Sequence, residues 1–555
     1  MPARRDILQG IAALAASSLM GCDPRQWRPP AAPNGVLLVD AHCHVFNASD
    51  LPATRFLNYV VLEHYPKTAE PKLLNIQEPT LRDRVIQLFI EILGAGKAPD
   101  AEAELAYLKG VATKRVRSAS VAAARASAID GAEAFLLKVQ RRLSEPTIKA
   151  TPAQRSADDR ILDAFREASG VEMKSLDIAG HGPPSARVMA ERAAASSTDL
   201  GGYIRWFALF TMYRHALVDQ LTADTTREGY TPILLCPAMV DYDRWLRESV
   251  GSSLSDQVAV MGAISKRPTG PAVHGYFGFD PLREVYFREG KDPVSPLEVA
   301  RTALTEHGFL GVKLYPPMGF RASNNVGPFP ERILQDIPRG LPKKLDEALE
   351  ALYQLCEELD APILAHAYGS NGANKDFALR ADTAFWIPVF ERHPRLRVCL
   401  AHFGRFDQHS EGGPDTLPEG SWEWTIGRYI KANRERHVLR DISYLSEVLT
   451  SKDSERARIA AAFRRYVAEF DPDVEHMAFG SDWIMLGKEP GYEEYIIKVD
   501  AFLKDDCGMS DAARAKVFST NALKHLGLGR DDRARERILG FYAANNLDPA
   551  RLPFA

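Results

Sequence analysis

Eight short runs of consecutive apolar residues punctuate the chain, at 36–45, 231–240, 273–279, 311–315, 362–367, 397–403, 438–444 and 476–480. Most are apolar throughout rather than alternating, the pattern of parallel strands covered on both faces. Between them, stretches such as 295–307, 343–359 and 454–470 repeat apolar residues at helical spacing. Eight strands alternating with helices predict an α/β protein closed as a (β/α)8 TIM barrel, with a doubly wound open sheet as the runner-up.

The rhythm breaks once. Residues 46–230 separate the first run from the second, far more than the two to six residues of an ordinary strand-to-helix loop. Their pattern is mostly helical: Thr80 and Asp83 form a helix start, and Val85, Ile86, Phe89, Ile92 and Leu93 follow the helical period. Further helical stretches are expected at 131–143, 159–169 and 202–221. An insertion after strand one emerges at the carboxyl end of a barrel, where such folds carry their active sites. It therefore reads as a helical cap, with a separate docking module as the alternative. The expected organisation is a leader (1–22), a linker (23–35), a barrel (36–50 and 230–526) interrupted by the cap (51–229), and a C-terminal helical tail (527–555).

Composition narrows the partners. The 555 residues include 69 basic and 73 acidic side chains, a net charge of −4, with no long run of one sign. No basic footprint for nucleic acid exists, and a small-molecule substrate is the default; a homo-oligomer stays open. The leader has Arg4 and Arg5, then an apolar run to Met20, Gly21 and Cys22. That run is too short to span a membrane and suits a secretory signal. Arg-Arg-Asp-Ile-Leu resembles a twin-arginine export signal and Leu-Met-Gly-Cys a lipobox. The expectation is export, to the periplasm or to a membrane through a lipid on Cys22. The other five cysteines are widely spaced with no CxxC, so a disulfide framework is not expected. Cys43, Cys236 and Cys399 read as buried thiols.

The chemistry begins in the first run. His42 and His44 stand two apart in VDAHCHVF, so in a strand they face the same way, about 6.6 Å apart. Two neutral imidazoles so placed can share one divalent ion, although the pair alone is a weak motif. Other strand ends offer groups in the same relative position: Lys313 in GVKLYPP, His366 in ILAHAYG, His402 in CLAHFG and Asp482 in AFGSDW. Each alone has a structural explanation, but together they bring metal-competent groups to one rim of one ring.

The order HxH, Lys, His, His, Asp resembles the amidohydrolase superfamily of metal-dependent hydrolases. AHCHVF, AHFG, FGSDW and the late Ser519-Thr520-Asn521-Ala522 are similar to its second, amidohydrolase-related branch, over about 36–526 without the insertion. The resemblance implies that His42, His44 and Asp482 bind a metal with His366 a further ligand, and that His402 is a second-metal ligand or polarises the substrate. GVKLYPP resembles the segment whose carboxylated lysine bridges two metals in dihydroorotase-like members. One zinc ion is expected, with Lys313 as a charge partner; two ions are the alternative.

Such an ion would activate water near neutral pH. Asp482 would take its proton and His402 would steady the carbonyl oxygen. The reaction so implied is hydrolysis of a C–N or C–O bond in a cyclic amide, ester or lactone. A non-oxidative decarboxylase of the same superfamily and a non-catalytic exported binding lipoprotein are the competing readings. For substrate contacts, Arg321, Tyr368 and Arg405 lead a set of loop residues that includes Asn324, Asn371 and Trp483, and His215 could reach in from the cap.

Overall fold

The structure, a computed structural model, describes residues 35–62, 98–111, 206–207, 209–370, 372–402, 417–450 and 453–554. Among these lie nine strands: β1 (Val36–Cys43), β2 (Tyr230–Pro237), β3 (Ala272–Val273), β4 (Tyr276–Gly278), β5 (Gly311–Leu314), β6 (Ile363–His366), β7 (Val398–Ala401), β8 (Val438–Asp441) and β9 (Met477–Ala478). They form two sheets, ordered β1-β2-β3 and β4-β5-β6-β7-β8-β9, in which every neighbouring pair is parallel. All eight apolar runs contain strand, and the third is divided between β3 and β4. In the register that pairs Leu235 with Val273 and Ala238 with Tyr276, Pro237 stands opposite Gly275 and has no N–H to give the ladder.

The expected eight-strand ring is not present as one continuous ladder. At one break, Ala238 and Tyr276 form an isolated parallel bridge, and the Met239 N–H donates to the Tyr276 carbonyl at 2.9 Å. At the other, the Ala41 N–H reaches the Phe479 carbonyl at 3.3 Å and the Asp482 N–H the His42 carbonyl at 2.8 Å. β9 is two residues long and forms its ladder with β8.

Both faces of the strands are covered, which is why the runs are apolar throughout. Val39, Leu234, Cys236, Leu364, Cys399 and Leu439 pack with one another and with Leu523, Phe541 and Tyr542 from the C-terminal part. Their strand neighbours Leu38, Leu235, Ile363, Val398 and Val438 pack into the larger core that includes the helices. Each fully buried side chain of this size contributes about 1.5–3 kcal/mol. The predicted helices stand at Pro296–Glu306, Leu341–Leu359 and Asp453–Phe470. Ser295 caps the first by accepting the Glu298 N–H at 3.2 Å, with proline in the first turn.

Of the insertion, the structure describes a short helical stretch through Leu62, the helix Ala101–Val111, and the helix Arg214–Thr225. The helices expected at 80–93, 131–143 and 159–169 lie outside the described residues. The helix expected over 202–221 is a correction: the chain turns at 210–213, and the helix after it starts at Arg214. The loop after β1 takes the carbonyls there, Ala48 donating to Phe210 at 2.8 Å and the Asn47 amide to Met212 at 2.9 Å. The leader with Cys22 and the linker as far as residue 34 also lie outside. Among the described residues no helix is long and apolar enough to cross a membrane. Cys43, Cys236, Cys356, Cys399 and Cys507 are buried free thiols.

Candidate active site

Seven polar side chains meet at the carboxyl ends of the strands: His42 and His44 from β1 and its exit, Lys313 from β5, His366 ending β6, His402 after β7, Asp441 ending β8, and Asp482 after β9. All are less than a tenth exposed. Each follows an apolar run because the run builds the strand and the strand end sets the height of the polar group. Gly480 permits the close approach of the β9 exit to β1, since a Cβ there would come within 2.8 Å of the His42 Cβ. His402, Tyr444 and Asp482 hold left-handed backbone at φ 60°, 54° and 54°. Non-glycine residues pay for that conformation, and such strain gathers at functional sites.

The hydrogen bonds fix which nitrogen of each ring carries its proton. Burial, with Lys313 alongside, pushes the His42 imidazole down to about 3, so the ring is neutral. Its Nδ1 lies 3.1 Å from Asp441 Oδ2 and 3.0 Å from Ser443 Oγ, and we assign the proton there. Its Nε2 then presents a lone pair, 2.9 Å from the Lys313 ammonium and 3.5 Å from Asp482 Oδ1. His44 donates Nδ1–H to the Ala238 carbonyl at 2.7 Å, and its Nε2 sits 3.1 Å from the same Asp482 oxygen. Ser443 spends its hydroxyl proton on Asp441 Oδ1. It therefore accepts from His402 Nδ1 at 2.8 Å, and His402 Nε2 is left for a ligand. His366 donates Nε2–H to the Tyr368 carbonyl at 2.9 Å, and its buried Nδ1 has no hydrogen-bond partner among the described residues.

His42, His44 and Asp482 are thus a buried set whose ligand atoms all lie within 4.8 Å of one another. The imidazole nitrogens and the carboxylate converge beside the Lys313 ammonium, and a donor set of two imidazoles and one carboxylate suits a divalent ion. The second such set, His42, His402 and Asp441, holds the Ser443 hydroxyl among its atoms and is a hydrogen-bonded support. Burial alone would raise both carboxyls. The neighbouring histidines outweigh it and hold Asp482 and Asp441 well below the usual range. Burial brings Lys313 down to about 8 against the pull of Asp482 and Asp441, and lowers His402 and His366 too.

The site opens into a cavity lined by His44, Lys313, His366, His402 and Asp482, together with Tyr368, Tyr242, Tyr315, Tyr444 and Lys488. Of the substrate contacts expected, Tyr368 is there. Arg321 is not: its guanidinium stacks 4.3 Å over the Phe385 ring. Arg405 and Asn371 lie outside the described residues. Trp483 is buried and donates to Asp224 at 2.9 Å, and His215 bonds Glu104 at 2.8 Å rather than reaching the cavity.

The sequence reading assigns no role to Asp441, Ser443 or Lys488. For Asp441 a signal existed, since the run VLRDISY carries an acid at the strand-end position where other runs carry histidine. Asp441 holds the protons of His42 and His402 on Nδ1, so Asp441→Asn is expected to weaken metal binding or kcat/KM by about 10- to 100-fold. A competitive metal titration beside a pH–rate profile checks this; unchanged values in both would remove the positioning role.

A parallel α/β fold with a buried histidine–carboxylate set at its strand ends is the architecture of a metal-dependent enzyme site. Residues 290–528, under half of the chain, match the amidohydrolase family, so this part of the chain is similar to that family of hydrolases. No curated protein matches the chain. Among solved structures, an amidohydrolase from Burkholderia multivorans is 13% identical over 58% of this chain and 91% of its own, with TM-scores of 0.35 with bound HEPES and 0.34 with bound zinc. A proposed 2-pyrone-4,6-dicarboxylic acid hydrolase from Pseudomonas putida is 16% identical over 56% of this chain and 87% of its own, with a TM-score of 0.32. Likenesses this slight add nothing to what the family match and the site geometry carry.

Proposed function

We propose that the protein hydrolyses a C–N or C–O bond at the carbonyl centre of a small cyclic amide, ester or lactone, with one divalent ion, zinc by preference, held by His42, His44 and Asp482. The observation that supports this is the convergence of His42 Nε2, His44 Nε2 and Asp482 Oδ1 on one buried point. His366, with its unpartnered Nδ1, is the further donor. Such an ion supplies Lewis acidity and makes water nucleophilic near neutral pH.

Asp482 accepts a proton from the attacking water and returns it to the leaving nitrogen or oxygen. Lys313 supplies the fixed positive charge beside the carbonyl oxygen. His402 offers a lone pair from Nε2 in the tautomer assigned above, which suits taking a proton or ligating better than donating to an oxyanion. The bonds bridging both sheet breaks support reading the strands as one eight-membered ring, with β3 and β4 as one interrupted strand and the insertion over its carboxyl end. Export and lipid attachment at Cys22 belong to the same reading.

Metal analysis and activity together test it. Protein purified without chelators is expected to carry one ion per chain. Dipicolinate is expected to remove both the ion and the hydrolysis of a lactone and amide panel, and added Zn²⁺ to restore both. Release of CO₂ with no oxygen from labelled water in the product would replace hydrolysis by decarboxylation.

A further inference from the structure

Asp482 holds left-handed backbone at φ 54°, a conformation that persists only where the surroundings fix it. Part of the fixing is local: the Asp482 N–H bonds the His42 carbonyl at 2.8 Å, and the Trp483 N–H bonds Ser481 Oγ at 3.0 Å. The rest comes from the insertion. Asp224, next to last in the helix Arg214–Thr225, accepts the indole Nε1–H of Trp483 on Oδ2 at 2.9 Å. Trp206, also in the insertion, donates its Nε1–H to the Ile484 carbonyl at 2.7 Å. Between these two bonds, the Trp483 carbonyl accepts the His44 N–H. The two residues after Asp482 are therefore gripped by the insertion on one side and by the exit of β1 on the other.

We propose that Asp224 is a positioning residue for Asp482, acting through the Trp483 indole, so that the insertion completes the metal-binding set instead of only covering it. The inference rests on the reading of His42, His44 and Asp482 as that set. An indole N–H can only donate, and Trp483 is 1% exposed, so without Asp224 its donor would be stranded in the interior. The ring would have to shift to find an acceptor, and its backbone is joined directly to Asp482. A ligand set tolerates displacements of only about 0.5 Å before it loosens. Asp224 is itself held in place: Gln220, one helical turn earlier, donates Nε2–H to Oδ1 at 2.9 Å, and the Tyr492 hydroxyl donates to Oδ2 at 3.3 Å. These last two bonds serve the insertion's own packing, whereas the bond from Trp483 reaches the site.

The test uses the full chain with Zn²⁺ as the probe. In a competitive chelator titration, Asp224→Leu is expected to bind Zn²⁺ about 10-fold or more weakly than the unsubstituted protein. On any lactone or amide that is turned over, kcat is expected to fall by a similar factor while KM stays within about threefold. Asp224→Asn, whose Oδ1 still accepts the indole N–H, is expected to remain within about threefold of the parent in both measurements. Trp483→Phe removes the donor from the other side and gives the same comparison should Asp224→Leu not fold. Adding Asp224→Leu to Trp483→Phe is expected to weaken zinc binding by less than about twofold more, yet to lower the thermal midpoint further through the lost Gln220 and Tyr492 bonds. Zinc affinities of Asp224→Leu and Trp483→Phe equal to the parent's would overturn the proposal, and so would losses that simply multiply in the double variant. Zinc binding that depends on Asp224 in a chain that hydrolyses nothing would overturn the hydrolase reading and leave the positioning role standing. No zinc binding by the unsubstituted chain would overturn the metal reading and this inference with it.

Discussion

Asp482→Asn is expected to lose the bound ion and to lower kcat/KM by about three orders of magnitude or more. Asp482 is the only carboxylate in the set with His42 and His44, and its Oδ1 lies within 3.5 Å of both Nε2 atoms. The amide keeps the volume of the acid and removes its charge, so the imidazoles are left with no anionic partner for a cation. The substitution also separates chemistry from strain. Residue 482 holds φ 54°, and asparagine tolerates left-handed backbone better than most residues, so the loop is expected to stay in place. Metal content, circular dichroism and steady-state kinetics on one preparation check the result. A folded variant that keeps its ion and stays within a fewfold of the parent rate would remove Asp482 from both roles.

The second large effect is on stability. Arg214→Met is expected to destabilise the protein by about 3–5 kcal/mol, read as a lower denaturant midpoint, because it strands two buried carboxylates. Arg214, itself 2% exposed, donates to Asp50 at 2.8 Å and Glu104 at 2.9 Å, and to the hydroxyls of Ser49 and Ser252 at 3.0 Å. Burial would raise Glu104, but its bonds with His215 and Arg214 bring it down to about 2. A carboxyl depressed in the folded state stabilises above its unfolded value near 4.5. That contribution is lost as pH falls through the folded value, so part of the stability is expected to fade between about pH 4.5 and 2. Substituting Asp50 and Glu104 by asparagine and glutamine together with Arg214→Met is expected to recover much of the loss. No recovery would place the defect in packing instead. Because Ser49 and Asp50 follow His44 closely, this network also fastens the inserted helices to the strand that carries His42 and His44.

What was legible in the sequence was what repeats locally. The strand runs around 36–43, 311–314 and 398–401 are apolar on both sides because both faces are buried, so composition alone marks them. His42, His44, Lys313, His366, His402 and Asp482 were legible as well, since a polar group ending an apolar run must stand at the strand's carboxyl end. The helix at 214–225 was misjudged, since a carbonyl's preference for a distant amide at Asn47 or Ala48 leaves no trace in the local pattern. Arg321 was misplaced for the same kind of reason: a loop arginine has many partners within reach, and Phe385 lies 64 residues on.

The sequence by itself determined the order of strands and helices and the polar residue types at the strand ends, because burial periodicity and strand polarity act over a few residues. Only the tertiary structure decided that Asp441 and Ser443 hold the histidine protons on Nδ1, that Lys488 reaches the cavity, and that Arg214 ties the insertion to the first strand. Those are contacts between side chains far apart in the chain, and their energies depend on distance and burial that no local pattern records.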